Sequence, residues 1–80
     1  MSGAQYLAKI AKTHQKISTD LTVVSGMPHI DGTRVQVSII LACLRDNMTI
    51  GEICEDYNLD KKDIIDAINY AIDVMDIPFV

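Results

Sequence analysis

The sequence predicts a mainly α-helical domain that carries one short β-hairpin. Three observations lead there. Apolar residues recur at helical spacing over four separate stretches. The Asp31-Gly32 pair sits between two short runs of strand character. Two of the helical stretches are separated by Asn58 and Leu59 alone, the outline of a helix-turn-helix with an earlier helix to pack on. Eighty residues, 49% of them apolar, suit one globular domain with a small core of its own. The expected division is an N-terminal helical extension over residues 1–16 and a single hairpin plus helix-turn-helix domain over 17–80.

The first helix is expected from about Gln5 to Lys16. Tyr6, Leu7, Ile10, Ala11 and Ile17 make its apolar stripe, and Lys9, Lys12 and Lys16 share the other side. That basic face is either a solvated surface or a partner-binding one, and His14 falls at its boundary. Ser25-Gly26 and Met27-Pro28 punctuate the next segment. In "HIDGTRVQV", His29-Ile30 and Thr33 to Val37 are expected to pair across a type I′ turn, for which Gly32 adopts positive φ freely and Asp31 tolerates it. Two such strands are marginal alone, so they must lie on the helices or pair with a second subunit.

Three helical blocks follow. The first runs from about Ser38 to Asp46, with Val37, Ile40, Leu41 and Leu44 on one stripe, and Asn47-Met48 ends it. The second opens at Thr49, whose spacing to Glu52 is that of a capping box. The third opens at Asp60, with Asp63 in its first turn and with Leu59 and Ile64 at the two positions of a hydrophobic staple. Ile64, Ile68, Ala71, Ile72 and Met75 continue its stripe. Asn58 suits the left-handed conformation that the tight turn needs. Pro78 stops the last helix, and Phe79 and Val80 are expected to tuck into the core or a neighbour.

Charge is unevenly spread. Up to Val37 the chain carries +2, and from Ser38 onward −6. Cys43 and Cys54 lie in apolar helical patterns without zinc-ligand spacing around them, and read as reduced core thiols. No apolar run is long enough to span a bilayer and the N-terminus has no signal-peptide core, so a cytoplasmic protein without membrane association is expected. No nucleophile–base set, Gly-rich phosphate loop or metal cluster is evident, so no catalytic residue, metal or cofactor is expected. Asp56, Asp60, Asp63 and Asp66 read as capping and surface residues.

Ile17 and Asp20, Gly26, Pro28, Gly32-Thr33-Arg34, Val35-Gln36-Val37, Glu52-Ile53, Asp56-Tyr57 and Tyr70-Ala71 together form a pattern that resembles domain-of-unknown-function family 433. The likeness runs from Ile17 to Ala71, and its Gly-Thr-Arg segment is the most specific part. It implies a β-hairpin followed by a homeodomain-like or winged-type helix-turn-helix, and a homodimer. It also implies an antitoxin-like role, in which the protein binds and neutralises a PIN-like toxin nuclease and binds DNA at its own operator.

The residues themselves weigh on the two binding roles. Lys61 and Lys62 could reach phosphates and Asn69 an adenine edge. Asp63, Asp66 and Asp73 on the same helix oppose them, and the lysines of the first helix would compensate only in a dimer that set them alongside. Arg34 is a candidate for a phosphate or partner contact. The structural reading, an ion pair with Glu52, Glu55 or Asp56 that clasps the hairpin to the helices, is favoured for it. The candidate DNA-binding residues are therefore Lys61, Lys62, Asn69 and Arg34, and the candidate partner or dimer contacts are Arg34, Val35, Val37, Phe79 and Val80. A protein-interaction module is the leading expectation and an operator-binding regulator the alternative.

Overall fold

The computed structural model describes residues 2–77; the expectation for Phe79 and Val80 lies outside the described residues. Four helices, α1 (Gly3–Ala11), α2 (Val37–Arg45), α3 (Ile50–Tyr57) and α4 (Lys61–Asp76), surround one core with two short strands, β1 (Ile17–Ser18) and β2 (His29–Ile30). The mainly helical architecture with a small antiparallel hairpin is as the periodicity predicts.

Helix α1 starts earlier and ends sooner than expected. Ser2 and Gln5 form a capping box, each side chain meeting the other's backbone N–H at 3.1 and 2.9 Å. The helix stops at Ala11, where the Thr13 hydroxyl donates to the Ile10 carbonyl and His14 N–H returns to Ala11. Tyr6, Ile10 and Ala11 are buried in the common core.

The hairpin is built differently from the one expected. β2 pairs antiparallel with β1, Ile17 opposite Ile30 and Ser18 opposite His29. Across Asp31-Gly32 there is a lone bridge, His29 to Gln36, supported by the bond from Ile30 N–H to the Val35 carbonyl. Among the central turn residues Gly32 alone has positive φ, +79°, so the turn is of type II character and not I′. Thr33 explains the short ladder. Its hydroxyl donates to the Ile30 carbonyl and accepts from Val35 N–H, drawing residues 33–35 into a local side-chain-bonded loop. Between the strands the chain passes through Val24 (φ 41°), Ser25 (φ 57°) and Gly26 (φ 78°), three successive residues in the left-handed region.

The helical blocks start and stop close to where their caps predict. α2 ends in a Schellman motif: Asn47 is left-handed (φ 67°) and Met48 N–H bonds the Cys43 carbonyl at 3.0 Å. Thr49 and Glu52 close the capping box of α3 at 2.9 and 3.1 Å. Asn58 takes the left-handed conformation (φ 55°, ψ 50°), and Leu59 N–H returns to Cys54. At the start of α4 the Asp63 carboxylate accepts from Asp60 N–H at 3.0 Å, and Leu59 and Ile64 are both buried as a staple requires. The buried stripe of α4 is Ile64, Ala67 and Tyr70, whereas Ile72 and Met75 face outward. On α2, Cys43 takes the core position that the periodicity gives to Leu41, which is exposed. α4 is the central element, touching all the other helices and both strands. Both cysteines are free thiols against the core.

Candidate interaction surfaces

Three features of the surface bear on function. The first is an unexpected polar joint between α1 and α4. The turn after Ala11 aims His14 at the side of α4, where Asp66 and Asp73 stand two helical turns apart. His14 Nδ1 lies 2.7 Å from Asp66 Oδ1, and Nε2 lies 2.7 Å from Asp73 Oδ2. Between the two acids Tyr70 meets the imidazole edge-on, the ring centroids 5.7 Å apart. Lys16 N–H donates to the second oxygen of Asp66 at 2.9 Å. Burial of the ring disfavours its charge, but the bonds to Asp66 and Asp73 and their negative charges outweigh it, and the His14 pKa is raised above 6.5. Two tyrosines reinforce the joint. The Tyr6 hydroxyl reaches the carbonyls of Val74 and Ile77, and Tyr70 donates to the Leu7 carbonyl at 2.9 Å. Burial, with a smaller effect of Tyr6, pushes the Tyr70 phenol up to about 12.

Sequence reasoning missed this joint because 52 residues separate His14 from Asp66. One signal was present: Asp66, Tyr70 and Asp73 follow an i, i+4, i+7 spacing and so share one face of α4. Tyr70 on that face is 2% exposed. The segment after α1 docks on α4 within the chain through the His14 ring and the Lys16 backbone N–H.

The second feature is an apolar groove of about 270 Å³. Leu7 of α1, Pro28, Val37 and Leu41 of α2, and Ala71, Val74 and Met75 of α4 line it. Leu41, Met75 and neighbouring Met27 are all exposed at its rim.

The third feature is a pair of polar patches holding the sequence-predicted candidates. Lys61, Lys62 and Asn69 share an exposed face at the front of α4 with Ile65 and Asp66. Arg34 lies apart from them, on a cleft of about 370 Å³ shared with Ser18, Asp20, His29, Asp31 and Thr33. Its guanidinium is exposed and, among the described residues, makes no ion pair; the expected clasp to Glu52, Glu55 or Asp56 is not formed. The hairpin is secured instead by Asp31 N–H on the Lys16 carbonyl, by β1, and by buried Ile30. In the same cleft His29 is 2% exposed, with Nδ1 donating to the Met27 carbonyl at 2.7 Å. Asp20 accepts from the Thr22 hydroxyl and backbone N–H, which hold its carboxyl below its ordinary value. Of the expected partner contacts, Val37 is buried in the chain's own core and Val35 is half-buried against it.

Among the described residues no three His, Cys, Asp or Glu side chains are grouped to hold a metal ion, and no helix is long and apolar enough to cross a membrane. A family model described as "Protein of unknown function (DUF433)" matches residues 17–71. No curated protein and no solved structure matches the chain.

Proposed function

The chain belongs to the DUF433 family, and from that premise we propose that it is an antitoxin-like regulatory module that acts by binding a partner protein. The observation that carries this reading is the apolar groove between α1, α2 and α4. Exposed Leu41 and Met75 at its rim form a contiguous apolar patch on a small protein, and such patches mark interaction sites. An apolar ridge or amphipathic helix of a partner fits a groove of this shape. The acidic second half of the chain favours a basic partner surface over a polyanion. Arg34, which makes no ion pair among the described residues, is available to an acidic group of the same partner. The module acts as a homodimer, has no catalytic role or cofactor of its own, and its partner class is a PIN-like toxin nuclease.

The test is co-expression with the product of the adjacent reading frame, followed by calorimetry on the purified pair. Binding that Leu41→Asp weakens at least tenfold, with the fold retained, supports the groove. A nuclease that is neither bound nor inhibited by the wild-type chain refutes the reading.

One observation favours a second reading, operator binding through α4. Asp66 and Asp73 face His14, the Lys16 backbone N–H also binds Asp66, and Lys61 and Lys62 lie on the same patch as Asp66. The acids that would repel a phosphate backbone are thereby partly offset. A gel shift on the DNA upstream of the gene, at two salt concentrations, decides it. Salt-dependent binding that weakens in Lys61→Ala/Lys62→Ala supports operator recognition, and no shift at micromolar protein excludes it.

A further inference from the structure

Among the described residues, the two ion pairs of His14 are the ones that join different elements; the third, Arg45 with Asp46, links sequence neighbours. An imidazole donates from both nitrogens only when it carries both protons. With each nitrogen 2.7 Å from a carboxylate oxygen, the arrangement is that of the imidazolium. A neutral ring in the same place would set one lone pair against a carboxylate. We propose that His14 is a proton-operated clasp: its imidazolium fastens the end of α1 onto α4, and loss of one proton releases Asp66 or Asp73, loosens α1 and withdraws the wall that Leu7 gives the apolar groove.

The surroundings leave few other controls on this ring. From α4 the charges acting on it are those of Asp66 and Asp73. Tyr70 keeps its proton to about 12 and spends its hydroxyl on Leu7. On its own side Ile10 and Ala11 of α1 and Ile17 of β1 carry no charge, and the ammonium groups of Lys12 and Lys16 flank it in sequence. The hydrogen bonds of Tyr6 to Val74 and Ile77 and of Tyr70 to Leu7 keep α1 in place as a weaker attachment once the clasp opens. His14 precedes the family match over residues 17–71; of its two partners, Asp66 lies within the match and Asp73 just past it.

The functional consequence rests on the groove reading, but the clasp is measured without any partner. On the full chain, imidazole NMR resonances follow the His14 titration, and amide exchange compares α1 with α3 from pH 5.5 to 8.5, corrected for intrinsic exchange. The expected result is a His14 midpoint above 6.5 and protection of Tyr6 to Ala11 that falls about tenfold per pH unit above that midpoint, while α3 holds steady. His14→Gln flattens the α1 response. Asp73→Asn, a smaller change that keeps a hydrogen-bonding group, lowers the midpoint and moves the α1 response with it, as a merely structural histidine would not. A midpoint at or below 6.5, α1 protection that ignores pH in the wild type, or an unshifted response in Asp73→Asn overturns the proposal. Loss of partner binding at every pH with this titration intact refutes the groove and leaves the clasp standing.

Discussion

Single residues set several of the local energies. Val24 is a β-branched residue at φ 41° and does not belong to the core cluster. Left-handed backbone costs an ordinary residue about 1–2 kcal/mol, and Asn tolerates it best after Gly. Val24→Asn is therefore expected to raise stability by about 1 kcal/mol, read as a higher urea midpoint. Gly26→Ala should do the reverse. Its φ is +78°, and an added Cβ would stand 2.7 Å from Leu21 Cδ2. Leu21 is exposed and can swing away, so the loss should stay near 1 kcal/mol, the backbone part alone. For His14 the direction follows from its raised pKa. The native state holds the proton more tightly than the unfolded chain. Its contribution is complete below about pH 6.5, the ordinary value, and drains as pH climbs through the raised one. Denaturant melts should show stability declining across that window in the wild type and a smaller decline in His14→Gln.

At the scale of elements, helix ends obey local chemistry. Thr49→Ala removes the acceptor for Glu52 N–H and should cost about 1 kcal/mol. Asn58→Ala places an alanine at φ 55° and should cost about 1 kcal/mol or more, while Asn58→Gly is near neutral by the same chemical-denaturation measurement. These same residues show why α2, α3 and α4 were legible in the sequence: a capping box, a staple and an αL asparagine are decided within six residues. The hairpin was less legible for the opposite reason. Asp31-Gly32 announced a turn correctly, yet its strand partner Ile17 lies 13 positions before Ile30, and the Thr33 hydroxyl diverted the nearer segment. Periodicity likewise placed Leu41 and Met75 on buried stripes, where the structure leaves them at the groove. An apolar stripe marks a face to be covered, and does not say by what.

For the whole molecule, one core joins every element, with Ile40, Ile53 and Ile64 fully enclosed. Ile53→Ala or Ile64→Ala should cost about 2–5 kcal/mol, a large share of what so small a domain has, and calorimetric melting would register it. Met75→Asp, at an 83% exposed site, should leave melting nearly unchanged while abolishing partner capture. The polar joint was the part hardest to read from sequence. Nothing near His14 announces that its neighbours in space are two aspartates more than 50 residues away. The charge asymmetry of the two halves was plain, but the meeting of His14 with Asp66 and Asp73 is a property of the tertiary arrangement.

The contact of Tyr6 with the Ile77 carbonyl spans 71 positions. Tyr6 must wait until the residues up to Ile77 have been made and have emerged from the ribosome before that bond can close. Until α4 has emerged, the side of α1 that packs on it stays bare, and the nascent chain is a client for any chaperone that recognises such a surface.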